Sequence, residues 1–224
     1  WDVFIHDQQT GQTTRVSVDS NSAQGNGVSM YPSISADGRY VAFESYATNL
    51  VAGDTNSRLD VFVHDRQTGE TTRVSAGYNS VQGNSDSMYP SISADGRYVA
   101  FMSSASNLVA GDTNDVYDVF IHDRQTGQTT RVSVDSTGVQ GNSDSMYPSI
   151  SADGRYVAFY SDASNLVAGD TNGVYDVFVH DRQTGETTRV SVDSTGAQGN
   201  SDSEYPCISA DGRYVAFQSA ATNL

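Results

Sequence analysis

The sequence predicts an all-β protein made from one four-stranded antiparallel sheet repeated along the chain. Three observations carry that prediction. The decapeptide ISADGRYVAF at residues 34–43 returns at 92–101, 150–159 and 208–217. Asp2, Asp60, Asp118 and Asp176 each open a copy of DVF(I/V)HD, at a constant spacing of 58 residues. Within every copy, apolar residues alternate at period two and turn residues separate the short runs, which is the signature of strands.

The copy beginning at Tyr147 shows the elements in order. YPSIS is a short first strand, with Pro148 near its start, where a missing N–H does least harm. ADG is a hairpin turn whose Gly154 can take positive φ. RYVAFYS is the second strand; Tyr156, Ala158 and Tyr160 face one way, Val157 and Phe159 the other, so both faces are covered. SDASNLVAGDTNGVY (161–175) is a long loop. DVFVHD is a third strand, again apolar on both faces, and RQTGE is a turn. TTRVSV closes the unit with one polar face, which suits an outer edge strand. A second long loop, DSTGVQGNSDSMYP (135–148), joins one unit to the next.

A sheet covered on both faces and repeated in tandem is the blade of a β-propeller, because a ring gives every sheet a neighbour. A stacked β-solenoid is the competing repeat fold, but it lacks this alternation of tight turn and long loop. The expected blades are about 31–76, 89–134 and 147–192, with a split blade made from 1–18 and 205–224 in one domain spanning 1–224. The chain thus starts at a third strand and stops after a second strand. Pairing the two halves within the chain gives a four-bladed monomer. Pairing them between chains gives an eight-bladed, two-fold dimer. A piece of a longer array is the remaining possibility. The high effective concentration of two ends of one chain favours the monomer.

YPSISADGRYVAF followed by DVFVHDRQTGETTRVSV resembles the TolB-type, WD40-like propeller repeat of bacteria. The Pro-Ser-x-Ser-x-Asp-Gly-Arg core of that repeat is matched from Pro32, Pro90 and Pro148; after Pro206, Cys207 replaces the serine. The resemblance implies a propeller and a periplasmic or secreted location. Relatives of this type include interaction modules, peptidase accessory domains and lyases, so it implies no single activity. Both long loops exceed the usual length for the type.

Charge narrows the function. There are 27 acids against 12 bases, a net charge of −15, and every base is an arginine. Such a chain repels phosphate backbones, which argues against nucleic-acid partners. No apolar run approaches a membrane span, so no membrane insertion is expected. The single cysteine allows no internal disulfide.

Tight turns fall on one face of such a ring and long loops on the other, so the long-loop face is the expected functional surface. Three of its features draw attention. The GDTN loops place Asp54, Asn56 and Asp60 at D-x-N-x-x-x-D spacing, repeated by Asp112, Asn114, Asp118 and by Asp170, Asn172, Asp176. Such oxygen sets suit Ca²⁺, although Leu59, Tyr117 and Tyr175 stand where calcium loops carry glycine. The alternative is an Asx-turn held by its own backbone. The end of the second strand varies between copies as Glu44, Met102, Tyr160 and Gln218, followed two residues later by Tyr46, Ser104, Asp162 and Ala220. Glu44, Tyr46, Met102, Tyr160, Asp162 and Gln218 form the candidate ligand surface, unconstrained surface being the plainer reading. The interblade acids Asp86, Asp144 and Asp202 and the histidines His6, His64, His122 and His180 also recur. Those histidines lie in strands and are expected to be satisfied structurally.

No asymmetric nucleophile, acid–base pair or phosphate loop is present among these repeats, so the expected function is non-enzymatic: a ligand- or protein-binding scaffold. The alternatives are a carbohydrate-processing or peptidase-associated module, as the resemblance allows, and a multivalent lectin-like binder of glycans with one site per blade.

Overall fold

The second and third strands of each unit carry bulky apolar residues on both faces, and they form the middle of every sheet. The structure, a computed structural model, describes residues 1–224. Its strands, in chain order, are β1 (Phe4–His6), β2 (Thr13–Arg15), β3 (Ser29–Ile34), β4 (Tyr40–Ser45), β5 (Asp60–Asp65), β6 (Thr71–Arg73), β7 (Ser87–Ile92) and β8 (Tyr98–Ser103). They continue with β9 (Asp118–Asp123), β10 (Gln128–Arg131), β11 (Ser145–Ile150), β12 (Tyr156–Ser161), β13 (Asp176–Asp181), β14 (Glu186–Arg189), β15 (Ser203–Ile208) and β16 (Val215–Ser219). There is no α-helix, and Tyr78–Ser80 forms a single 3₁₀ turn.

Three complete blades result, β3–β6, β7–β10 and β11–β14, each an antiparallel meander. Register is set by the apolar pattern: Phe159 lies opposite Phe178, and Ser161 opposite Asp176. The first strand of each blade is broken by a bulge, as between Met146 and Ser149. Pro148 therefore lies in the bulge, where its missing N–H breaks no ladder bond.

The core lies between the sheets rather than within any one of them. Ala42, Val61 and Val63 of one blade pack against Val99, Phe101 and Phe120 of the next, and the following interface repeats the pattern with Ala100, Val119, Ile121, Val157, Phe159 and Phe178. Six phenylalanines are fully buried in these layers, and burying each contributes roughly 1.5–3 kcal/mol.

The repeated decapeptide supplies the joints. Near the inner strands, the Ala36 N–H donates to Ala94 O (3.0 Å), Ala94 to Ala152 (2.9 Å) and Ala152 to Ala210 (2.9 Å). Ile92 donates to Ser33 Oγ of the preceding blade at 3.1 Å, and Ile150 to Ser91 at 3.2 Å. Cys207 occupies the same position in the last strand pair, where it is exposed. The Tyr40 ring lies between two guanidiniums, Arg39 at 4.7 Å and Arg124 at 4.3 Å, and covers Gly96 of the next blade. Tyr98 repeats that stack over Gly154 with Arg97 and Arg182, and Tyr156 covers Gly212 with Arg155 on its ring. Arg39 also clasps Asp65 through two bonds of 2.9 and 2.6 Å, tying the first hairpin to the second.

The single-chain ring expected from the sequence is not closed here. β1–β2 and β15–β16 stand as two separate two-stranded sheets, leaving an open arc. β1–β2 packs on the first full blade through Val3 and Val16 against Val41, Phe43, Leu50 and Phe62.

Candidate functional site

The GDTN loops hold a cation, but it belongs to the chain. Arg131 on β10 brings Nη1 to 3.2 Å from Asp112 Oδ1 and 3.1 Å from Asp118 Oδ2. Arg189 does the same for Asp170 and Asp176 at 3.2 and 3.3 Å. Arg73 stands 3.7 Å from both Asp54 and Asp60. Asn56, Asn114 and Asn172 turn their amide nitrogens, not their oxygens, toward Asp60, Asp118 and Asp176. The remaining oxygen of Asp60 accepts from Ser75 Oγ at 2.6 Å. Burial pushes the Asp60, Asp112 and Asp170 carboxyls up from their ordinary range. A guanidinium thus lies among the carboxylates for which the sequence suggested calcium, and no group of three or more His, Cys, Asp or Glu is gathered to hold a metal. The Asx reading keeps part of its force, since Asn56 Oδ1 accepts from the Arg58 N–H.

The other recurring polar residues are joints as well. Asp86, Asp144 and Asp202 each accept the N–H just ahead of a third strand, from Leu59, Tyr117 and Tyr175. Each histidine pairs Nδ1 with the threonine hydroxyl opposite it, His64 with Thr71 and His122 with Thr129 at 2.9 Å. Those hydroxyls donate onward to the carbonyls of Val18 and Ala76 in the loop from the preceding blade.

The long-loop end of the inner strands carries a different feature. Tyr31, Tyr89, Tyr147 and Tyr205 all occupy the left-handed region, with φ between 48° and 53°. A non-glycine residue there costs roughly 1–3 kcal/mol, and here the cost recurs in every copy. The bulge and the following proline turn each ring out of its strand toward the next copy. Ring centroids are 4.5 Å apart for Tyr31–Tyr89, 4.2 Å for Tyr89–Tyr147 and 4.8 Å for Tyr147–Tyr205. Together with Pro32, Pro90, Pro148 and Pro206 they line a shallow depression of about 280 Å³.

The variable second-strand position lies directly beneath this row. Glu44 is 1% exposed and accepts the Tyr89 N–H at 2.8 Å. Burial pushes its carboxyl up, and no arginine pairs with it. Met102 is buried at the next interface. Tyr160 is buried against Tyr147 and Tyr205, both 5.5 Å away, and burial with its neighbouring phenols pushes its pKa up, so the phenol stays protonated. Glu44, Met102 and Tyr160 are therefore supports rather than the exposed surface the sequence suggested. Tyr46 and Gln218 are exposed, and Asp162 is half-buried. The tyrosine row itself escaped the sequence reading. Period two places Tyr147 in a regular strand; only the run Tyr-Pro in all four copies hints at a bulge.

Comparison with known proteins agrees with this fold. No protein-family profile matches the chain, and no curated protein does. Among solved structures, it is similar to TolB from Acinetobacter baumannii, with 20% identity and a TM-score of 0.58 over 100% of this chain and 44% of that one. A putative TolB from Agrobacterium tumefaciens gives 18% identity and a TM-score of 0.58, covering 98% and 61%. An oligogalacturonate lyase from Vibrio parahaemolyticus gives 15% identity and 0.52, covering 98% and 52%. The chain thus shares the TolB-like β-propeller fold and spans roughly half the length of these proteins.

Proposed function

We propose that the chain is a non-enzymatic binding module that engages an extended, basic segment of a protein partner along the tyrosine row, in the extracytoplasmic setting the resemblance implies. The observation that carries this reading is the row of four left-handed tyrosines, a strained arrangement repeated in each copy at the long-loop end. Aromatic faces attract cations. Glu44, without a cation of its own, lies under the row, and the net charge of −15 draws a basic partner in. The acids that recur around the arc are already tied to arginines or backbone N–H groups, which supports binding over hydrolysis or lyase chemistry.

The test uses immobilised Lys/Arg-rich extended peptides beside acidic ones, read by surface plasmon resonance. Basic peptides are expected to bind, more weakly as salt rises. Tyr89→Gly with Tyr147→Gly should abolish binding without unfolding the chain, since glycine accepts the φ of both positions. Equal binding of acidic peptides, or an unaffected double variant, would sink the reading.

A further inference from the structure

One interface between blades departs from the others. The loop that leaves each outer strand folds back as a small hairpin, and an aspartate at its corner normally holds it. Asp135 Oδ1 accepts the N–H groups of Thr137 and Val139, and Asp19 and Asp193 do the same in their copies. The serine after that aspartate then takes the free N–H on the outer edge of the next blade. Thr71 donates to Ser20 Oγ at 3.1 Å, and Thr187 to Ser136 Oγ at 3.0 Å.

In the second copy Gly77 and Tyr78 replace the aspartate and serine. Thr129, the equivalent of Thr71 and Thr187, keeps its hydroxyl bond to Ala76 O but has no serine for its N–H. Gly77 packs so closely on Asn107 O that a Cβ would come within 2.5 Å, so this path is closed to the sibling sequence. Asn79 and Ser80 enter the left-handed region, and Tyr78 swings out until 84% of it is exposed. A cavity of about 650 Å³ opens between this loop, residues 107–110 and the outer strand β10. That volume is within the roughly 300–1,000 Å³ of small-ligand sites.

The lining has a definite chemistry. No charged side chain contributes to it, in a protein of net charge −15. Leu108, Val109 and Ala110 give it an apolar side, and Tyr78 presents a ring face. The side chains of Asn79, Ser80 and Gln128 make no hydrogen bond within the protein, and the Thr129 N–H points outward from the edge beside them. A pyranose matches this set: its C–H face packs on an aromatic ring, and its hydroxyls both donate and accept, as neutral amides and hydroxyls require.

We infer that the Tyr78 cavity is a binding site for one unit of a neutral saccharide, on the outer rim and separate from the tyrosine row. It is a single site, not one per blade, because the other copies fill the same space with the Asp–Ser clasp.

The decisive variant restores the sibling loop: Gly77→Asp, Tyr78→Ser, Asn79→Thr and Ser80→Gly together rebuild the D-S-T-G of residues 135–138. This chain is expected to melt no lower than the parent, since it regains the clasp. Glucose, galactose, mannose and N-acetylglucosamine oligomers would be titrated by calorimetry beside galacturonate oligomers. At least one neutral series should bind the parent at one site per chain, with uronates weaker. The restored loop should lose roughly tenfold or more in affinity, the scale of a lost stacking contact with one or two hydrogen bonds. Tyr78→Phe should keep most of the binding and Tyr78→Ala should not. The tyrosine-row variants should leave it unchanged, which separates this site from the proposed partner surface. The inference is overturned if no neutral saccharide binds, if uronates bind better, or if the restored loop binds as the parent does.

Discussion

Arg131 shows how a residue-scale substitution can be read against its surroundings. Its guanidinium neutralises two carboxylates, one of them fully buried, while its own Nε finds no partner. Removing one side of a buried pair typically costs about 3–5 kcal/mol, and the imperfect geometry here points to the low end of that range. Arg131→Ala should lower the melting temperature and make it more responsive to calcium than that of the parent; melting curves of both chains with calcium and with chelator measure the difference. The histidines give a pH prediction. Burial drives His122 from about 6.5 to about 4. Between those values the unfolded chain takes up a proton that the folded chain refuses, so the stability is present above pH 6.5 and is lost as pH falls toward 4. His64 and His180 shift the same way through burial. The raised carboxyls of Asp60, Asp112 and Asp170 act with opposite sign as they protonate, so the comparison that isolates the histidine is His122→Asn against the parent. Melting temperature measured from pH 7.5 downward should fall less in the variant. Neither pairing was legible in the sequence, because Arg131 lies 13 residues from Asp118 and reaches it only after the third and fourth strands fold together.

At the scale of elements, the strands were legible and their joints were not. Alternation in RYVAF and DVFVHD fixed β12 and β13, since each buried face needs a partner sheet. The same rule misread the first strand, where Tyr147 leaves the alternation at a bulge. It also gave no sign that the ADG glycines are needed twice over. Gly154 has φ +73°, and a Cβ there would come within 2.2 Å of the Tyr98 ring; Gly127 has φ +71° with open space around it. Gly127→Ala should cost only the left-handed penalty of about 1–2 kcal/mol. Gly154→Ala should add an overpacking cost of roughly 1–3 kcal/mol and loosen a blade interface. Denaturant melts of the two variants separate these terms, and equal losses would show that the Tyr98 stack gives way freely.

For the whole molecule, the half-blade β1–β2 covers one outer face of the arc. Deleting residues 1–18 would uncover Val41, Phe43 and Leu50, so the truncated chain should melt lower and scatter more light than the parent; unchanged melting would mean that this packing contributes nothing. The number of units per chain was readable from the 58-residue period, but whether the two half-blades pair within the chain was not, because nearly identical units offer equivalent edges to either partner. The inter-blade bonds carry one more consequence. Ala36 to Ala94, Ala94 to Ala152 and Ala152 to Ala210 are the same bond shifted by one period each time. A recombination event between copies that gains or loses 58 residues leaves these backbone joints chemically as they were. The gene is therefore free to lengthen or shorten by whole units without a compensating mutation, each unit changing stability by one blade and one interface. Such an event spares the architecture, lengthens or shortens the tyrosine row by one ring, and gains or loses the outer-rim cavity only when it duplicates or deletes the copy that carries Tyr78.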